Sequence, residues 1–346
     1  MKKSQAYFKR KPLISVIVAN YNGKKWLTEC FESIFKQKYS PLEVILVDNA
    51  SSDGSVEFAR SNYPQIKVIQ AKENLGFAGG NNLGFEMSSG KYILFLNNDV
   101  NFSENLIAEL FNGMQKNKGA GCLWPKIRLM EEPEKLDMCG SYWTNSTLLY
   151  HEGYKKRQDK KNYNQPRNYF SAKGAALLMP RSVIEEAGLF DGDFWCFYEE
   201  TDFCHRLWLS GYECLYWPEA EIFHAVGGTS VLQLQSYLQY HNFKNKLCSF
   251  LKNFEGRTLI RVLPIFFLVN AFLWCYWILT FKWANSFALC RAWWWNLSHL
   301  KETLKKRKGV QQWREVSDKD VFRQTQKNPP FKYYYYLLTG LEKYKN

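Results

Sequence analysis

Short apolar runs alternate with amphipathic stretches over the first two-thirds of the chain. Leu13–Ala19 is a nearly continuous apolar run ended by Asn20-Tyr21-Asn22-Gly23, which predicts a buried strand and its turn. Trp26, Leu27, Cys30, Phe31, Ile34 and Phe35 then recur at helical spacing, predicting an amphipathic helix over 24–36. Pro41 resets the chain. Val44–Val47 reads as a second strand ending at Asp48-Asn49, a helix follows from about 53–55, and Ile66–Ile69 makes a third strand. Strand, helix and strand at this spacing predict an α/β fold with a doubly wound, mostly parallel sheet and helices on both faces. Tyr92–Leu96 is a further strand that breaks into Asn97-Asn98-Asp99, before a helix over 103–117 and a strand at Ala120–Trp124. Residues 131–170 are polar, charged and tyrosine-rich without a period, the character of a lid or acceptor-side loop. A strand over Lys173–Arg181 is closed by Pro180, a helix opens at Glu199-Glu200 and runs to about Ser210, and Cys214–Trp217 and Glu221–His224 finish the sheet. A long helix is expected to start at Gly227–Ser230.

The last third changes character. Val262–Phe281 is a twenty-residue, almost wholly apolar run, and Trp283–Leu300 is a second aromatic stretch containing Trp293-Trp294-Trp295. The run is long enough to span a bilayer, to lie flat as part of a helical pair, or to pack as a buried arm. Charge favours the flat-lying arrangement. Residues 1–240 carry 27 Lys+Arg against 27 Asp+Glu, whereas 241–346 carry 19 against 6, the whole formal excess of +13. A single span would place that basic tail on the far side, against the positive-inside tendency. Cations beside tryptophan and leucine suit an anionic membrane surface, and no helix-turn-helix, RNP or zinc spacing accompanies them, so nucleic acid is not the expected partner. The division expected is a catalytic domain over 1–240 and a membrane-associating helical region over 241–346. The nine cysteines form no C-x-x-C pair, so neither a disulfide framework nor a zinc site is suggested. The basic start precedes only seven apolar residues, which reads as the first strand of a cytosolic domain with reduced thiols rather than a leader.

Candidate chemistry gathers at strand ends, where open α/β sheets hold ligands. Asp99 there is either a ligand for a divalent cation that holds a diphosphate or the close of an Asx turn. Asn74–Gly84 interleaves glycine with asparagine, which lets backbone approach a ligand closely, or else starts a helix packed against the sheet. Its glycines, at 76, 79, 80 and 84, match neither G-x-G-x-x-G nor a P-loop, which disfavours a Rossmann dehydrogenase. Glu199, Glu200 and Asp202 open a helix, where acids meet the positive end of the macrodipole and Asp202–Arg206 makes an i,i+4 pair. The aromatic surround from Phe194 to Tyr198 sets Glu200 beside apolar surface, as befits a general base. His224 stands at a strand end before a glycine-rich turn, a structural histidine or a ligand.

These segments resemble the family 2 glycosyltransferases of GT-A fold, and within them the rhamnosyltransferase-like branch. Ile14–Gly23, Val47–Ser55, Asn74–Gly84, Leu96–Val100, Gly188–Asp191 and Tyr198–Arg206 occur in the family's order across roughly residues 12–232. The resemblance implies transfer of rhamnose or another hexose, with inversion, from a dTDP- or UDP-linked donor. The membrane-suited tail adds the expectation of a glycan or lipid-linked acceptor, and with it surface polysaccharide or glycolipid synthesis at the cytoplasmic face of the membrane. By similarity, Asn20, Tyr21, Asp48 and Asp53 would line the nucleoside site, and Asn74, Gly76, Asn81 and Asn98 would lie along the donor. Asp99 and His224 would hold Mg²⁺ or Mn²⁺, and Glu200 would deprotonate the acceptor hydroxyl. Two departures stand out: Asn97-Asn98-Asp99 has one carboxylate where stronger motifs have two or three, and Glu200 replaces the family's usual aspartate. The Gln-x-x-Arg-Trp motif of processive synthases is absent, Gln311-Gln312-Trp313-Arg314 having another order, so one sugar per acceptor is expected. The alternative is a catalytically weak sugar-nucleotide-binding or scaffold protein of the same fold.

Overall fold

A computed structural model describes residues 11–226 and 235–344. Its centre is a nine-stranded sheet built from β1 (Ile14–Asn20), β2 (Leu42–Asp48), β3 (Lys67–Gln70), β4 (Tyr92–Asn97), β5 (Val100–Phe102), β6 (Ala120–Leu129), β9 (Arg167–Asn168), β10 (Ala176–Pro180) and β11 (Glu213–His224). The order is β3-β2-β1-β4-β10-β6-β11-β5, with β9 on β11. The doubly wound part, β3-β2-β1-β4, is parallel. β10 enters antiparallel between β4 and β6, and β6 and β11 run parallel again. The continuous apolar runs follow from this. Ile17, Ile45, Ile93 and Phe95 face one core, while their neighbours Val16, Val18, Leu46 and Leu94 face the other, so neither side of a strand meets water.

Helices cover both faces. α1 (Lys24–Phe35), α2 (Ser55–Asn62) and α4 (Leu106–Lys116) pack on one, their apolar stripes including Leu27, Phe31, Ile34, Ala59 and Leu110. α3 (Gly76–Glu86), α5 (Arg181–Ala187) and α6 (Glu199–Leu209) cover the other. The glycine-rich stretch is thus a helix seated on the sheet. A Cβ on Gly84 would lie 2.3 Å from Ile17 Cγ2, which requires glycine there. The expected Cys214–Trp217 and Glu221–His224 strands are one strand with a register shift between Trp217 and Glu221.

The segment 131–170 differs from a lid. It contains a hairpin, β7 (Gly140–Tyr142) with β8 (Tyr150–Glu152), and buries Tyr142, Trp143, Tyr150, Tyr163, Tyr169 and Phe170. Trp143 stacks on Phe322 at 5.5 Å and meets Phe250 and Phe254 edge-on at 5.3 and 5.1 Å. The aromatic side chains that broke the sequence period are the joint between sheet and tail.

The tail is α7 (Gln235–Asn253), α8 (Gly256–Leu279), α9 (Trp283–Ser298), α10 (Leu300–Trp313), α11 (Asp318–Thr325) and α12 (Phe331–Thr339). The helix start expected at Gly227–Ser230 lies outside the described residues. The division expected at residue 240 falls inside α7, and buried ion pairs cross it. Lys252 reaches Asp191 at 2.6 Å and Asp202 at 2.9 Å, Arg206 reaches Asp202 at 3.1 Å, and Asn253 Nδ2 donates to Asp202 Oδ1 at 2.9 Å. Lys306 of α10 adds pairs to Asp191 and to Asp193. The tail's cations therefore divide: some staple it to the catalytic fold, whereas Arg257, Arg261, Lys301, Lys305 and Lys308 stay exposed.

All nine cysteines are free, and the sulfurs of Cys122, Cys204 and Cys214 lie buried within 4.8 Å of one another, a grouping invisible in their spacing.

Removing Lys252 takes a shared cation from two buried carboxylates that keep only Lys306 and Arg206 as cationic partners among the described residues, so Lys252→Met should cost about 3 kcal/mol in urea denaturation. Burial pushes Asp191 and Asp202 up, but Lys252 together with Lys306 at Asp191 and with Arg206 at Asp202 outweighs it and holds both below the usual carboxylate range. Their contribution is therefore present above about pH 4 and lost as pH falls, and the gap between Lys252→Met and the parent should narrow in acid. A gap that widened below pH 4 would contradict the assignment.

Candidate active site

Register alone builds the first half of the site. β1 and β4 pair so that Ala19 faces Asn97, which sets the Asn20-Tyr21 turn beside Asn97-Asn98-Asp99. β5 pairs antiparallel with the end of β11, Val100 opposite His224, which sets Asp99 beside a histidine far away in the chain. His224 Nε2 lies 3.3 Å from Asp99 Oδ1, and His224 Nδ1 lies 3.0 Å from Asp137 Oδ2. Lys173 reaches Asp137 at 3.6 Å. Burial pulls the His224 imidazole down, but its bonds to Asp137 and Asp99 raise it to about 9. Burial pushes Asp137 up, and Lys173 and His224 reverse that, holding it at about 2.

This donor set fits a small divalent cation. Two ligands of one such ion sit about 3 Å apart when each is about 2.1 Å from it, close to the observed Asp99–His224 separation. The Asp137 carboxylate on the far nitrogen is the partner that orients a metal-binding imidazole. Asp137 and Lys173 were not apparent in the sequence. Asp137 sits in the aperiodic segment, and no short motif contains either residue.

A cleft of about 300 Å³ opens over these strand ends, and its described lining includes Asn20, Tyr21, Asn49, Asn74, Gly76, Asn97, Asn98, Asp99, Lys173, Glu199, Glu200 and His224. Asp48, Asp53 and Asn81 are not among its described lining residues. Asp48 is fully buried, accepting from Asn20 Nδ2 at 3.0 Å and from the Ser51 amide at 2.9 Å, so it holds the turn that presents Asn20. Asp53 accepts from the amides of Lys24 and Ser55 at 2.8 and 3.1 Å, tying α1 to α2. Asn81 donates to the Phe77 carbonyl at 2.9 Å within α3. Asn98 Nδ2 donates to Asn20 Oδ1 at 2.6 Å, joining the two strand-end turns. At the start of α3, Gly76 has φ +70°, and a Cβ there would lie 2.1 Å from the Trp195 carbonyl, which itself accepts from the Phe77 amide at 2.8 Å. Glycine is needed because two chain segments close the cleft wall at this point.

The opposite wall is the first turn of α6. It follows Phe197 and Tyr198, both at positive φ (63° and 68°), an arrangement that costs non-glycine residues energy and persists only when held. Asn245 of α7 holds it, donating to the Cys196 and Phe197 carbonyls at 2.8 and 2.6 Å. The bend aims Glu199 and Glu200 into the cleft, and Oε2 of each is buried with no hydrogen-bond partner among the described residues. Burial raises both, the neighbouring Glu200 raises Glu199 further, and Lys173 draws both back down. The third acid, Asp202, points away into the ion cluster with Arg206, as i,i+4 spacing predicts. The site therefore has one basic-and-acidic end suited to a cation and anion, and facing it a carboxylate pair in a dry aromatic setting suited to accepting a proton.

The family profile described as Glycosyl transferase family 2 matches residues 15–187. Among curated relatives, glycosyltransferase GlyG of Streptococcus pneumoniae is 37% identical over 107 residues, covering 30% of this chain and 36% of that protein. The low-salt glycan biosynthesis hexosyltransferase Agl10 of Haloferax volcanii is 25% identical, covering 67% of this chain and 74% of its own. The N-acetylglucosaminyl-diphospho-decaprenol L-rhamnosyltransferase of Mycobacterium tuberculosis is 25% identical, covering 66% and 81%. Solved structures share the fold: GalNAc-T7 with UDP, GalNAc and Mn²⁺ (TM-score 0.55, 18% identity, 70% of this chain and 48% of that one). So does the Pyrobaculum calidifontis mannosyltransferase PcManGT with GDP-Man and Mn²⁺ (0.51, 16%, 85% and 76%). Half the chain falls under the family profile, over the strands and turns that form the cleft, and the protein belongs to glycosyl transferase family 2 and is a glycosyltransferase.

Proposed function

We propose that the chain moves a single hexose, rhamnose or another, from a dTDP- or UDP-linked donor to a lipid-linked glycan, with inversion at the anomeric carbon. The observation that carries this reading is the convergence in one cleft of the Asp99–His224 pair, backed by Asp137, and of the buried Glu200 Oε2, which has no hydrogen-bond partner among the described residues. Asn20, Tyr21, Asn74, Gly76 and Asn98 present polar groups along the donor, while Asp48, Asp53 and Asn81 hold the backbone that presents them. Asp99 and His224 would hold Mg²⁺ or Mn²⁺, which would supply charge neutralisation for a diphosphate leaving group. Lys173 adds a fixed positive charge at the same wall. Glu200 takes the proton from the acceptor hydroxyl as that oxygen attacks the anomeric carbon, and Glu199 beside it keeps the pair reluctant to carry two charges. The mycobacterial relative's decaprenol-linked acceptor supports a lipid-linked substrate here, as does the tail.

That tail supports residence at the cytoplasmic membrane face as a monotopic enzyme. α8 is long and apolar enough to cross a bilayer, yet Val262, Phe266 and Trp277 along its length pack against α7 and α9. Its outer stripe, Ile260, Leu268, Phe272 and Leu279, is exposed, as is Trp283, Phe287, Trp294 and Leu297 on α9, spaced one helical face apart. A helix with apolar residues on both faces has one partner in the protein and a second outside it. Alkaline carbonate should release the protein from membranes, and full retention in the pellet would favour a span.

Release of nucleoside diphosphate, screened over dTDP-, UDP- and GDP-sugars with and without Mn²⁺, tests the activity; no turnover with any donor would sink it. Glu200→Gln should lower turnover by about 10²–10⁴-fold. The acid limb of the parent's pH profile should lie above the ordinary glutamate value of about 4.3, and Lys173→Met should move it to higher pH, because Lys173 favours the ionised carboxylate.

With one carboxylate in the site, Mn²⁺ should bind weakly to the free protein and well only with nucleotide present; tight binding alone would contradict this. Asp137→Asn should weaken Mn²⁺ affinity in the nucleotide complex by about 10–100-fold, measured by paramagnetic titration, with no need for turnover.

A further inference from the structure

A second cavity lies apart from the catalytic cleft. It is a groove of about 1050 Å³ at the root of α8, between that helix, the end of α10 and α11. It shares no described lining residue with the cleft. Two pairs of cations at i,i+4 spacing line it: Arg257 and Arg261 on α8, Lys319 and Arg323 on α11, all exposed. Arg323 is paired with Asp320 at 3.2 Å, whereas Arg257, Arg261 and Lys319 have no ion-pair partner among the described residues. The one acid in the lining, Glu255, precedes α8 and accepts from the Asp318 amide at 3.3 Å, so it closes the junction of the two helices. Cations gathered in one groove repel unless an anion lies among them. Elsewhere in the tail, Lys252, Lys306 and Lys327 are matched to Asp191, Asp193, Asp202 and Glu152.

The groove is also amphipathic. Val262 and Ile265 form part of its wall, and the exposed stripe of α8 that begins at Ile260 and includes Leu268 runs on from it. A soluble phosphate would satisfy the guanidinium groups and leave that wall wet. A molecule with a phosphate and hydrocarbon chains satisfies both, the phosphate bound by Arg257, Arg261 and Lys319 and the chains running along α8.

We propose that this groove is a headgroup site for an anionic bilayer phospholipid, which docks the root of α8 at the membrane surface and so fixes the height of the catalytic cleft above it. The proposal rests on the monotopic reading, and the test separates the two. The full chain is sedimented with sucrose-loaded vesicles of phosphatidylcholine alone or with added phosphatidylglycerol. The parent should bind both, and phosphatidylglycerol more tightly. At about 1 kcal/mol per cation, or about fivefold each, R257Q/R261Q should bind phosphatidylglycerol vesicles roughly 30-fold more weakly and phosphatidylcholine vesicles unchanged. K319Q/R323Q, which alters the other wall, should show a comparable loss, guarding against a local fault in either helix. K301Q/K305Q removes the same charge from exposed positions of α10 outside the groove and should lose no more than about fivefold. Equal losses from the groove and α10 pairs would overturn the site in favour of diffuse attraction. Displacement from phosphatidylglycerol vesicles by inorganic phosphate at constant ionic strength would overturn it in favour of a soluble anion. Failure of the parent to bind either vesicle would strike the monotopic reading itself, whereas tight binding unchanged in both groove variants would strike only the groove.

Discussion

Asp202 is buried completely in the first turn of α6, and a carboxylate in that position has to be paired. It takes Arg206 from its own helix and Lys252 and Asn253 from α7. Lys252 in turn reaches Asp191, which Lys306 of α10 also reaches. Through this cluster the orientation of α6 depends on helices that arrive after the sheet is complete. The hydrogen bonds from Asn245 to the strained turn at Cys196–Tyr198 add to the dependence, because they decide where Glu199 and Glu200 point. The α6 wall of the cleft and the tail are one mechanical unit, though charge and composition divide the chain near residue 240.

The two walls of the cleft are held by different physics. One wall is made by strand register: β1 against β4 and β5 against β11 bring Asn20, Asn98, Asp99 and His224 to one line of strand ends. Its polar groups bind one another in a chain from Asp48 through Asn20 to Asn98, which costs little because each donor meets an acceptor. The α6 wall instead leaves Oε2 of Glu199 and of Glu200 without partners among the described residues in an aromatic surround, an expensive arrangement kept by packing from behind.

Most of the frame was legible before any coordinates. Buried strands covered on both faces give unbroken apolar runs, and amphipathic helices between them give periods, so β1 to β4, α1, α2 and α4 fall close to their expected places, whereas the glycine-rich α3 has no period and was one of two readings of its stretch. The pairing of Asp202 with Arg206 was legible too, being local to one helix. Residues 131–170 were not. Their strands are two or three residues long, too short for a period, and their buried tyrosines and Trp143 look polar or loop-like until the partners Phe250, Phe254 and Phe322 are beside them.

Local chemistry, then, was determined by the sequence: the strand-end turns, the lone carboxylate of Asn97-Asn98-Asp99, the acids opening α6, and the basic, tryptophan-rich tail all depend on neighbours a few residues away. Tertiary structure alone decided which distant groups meet. Asp137 behind His224, Lys173 between Asp137 and Glu200, Asn245 under the bend at Phe197, and the pairing of tail lysines with Asp191 each join residues with no common motif. The reason is physical. Burial forces charged and polar side chains to find partners, and the partner is whichever group the fold brings within about 3 Å, a property of packing rather than of spacing along the chain.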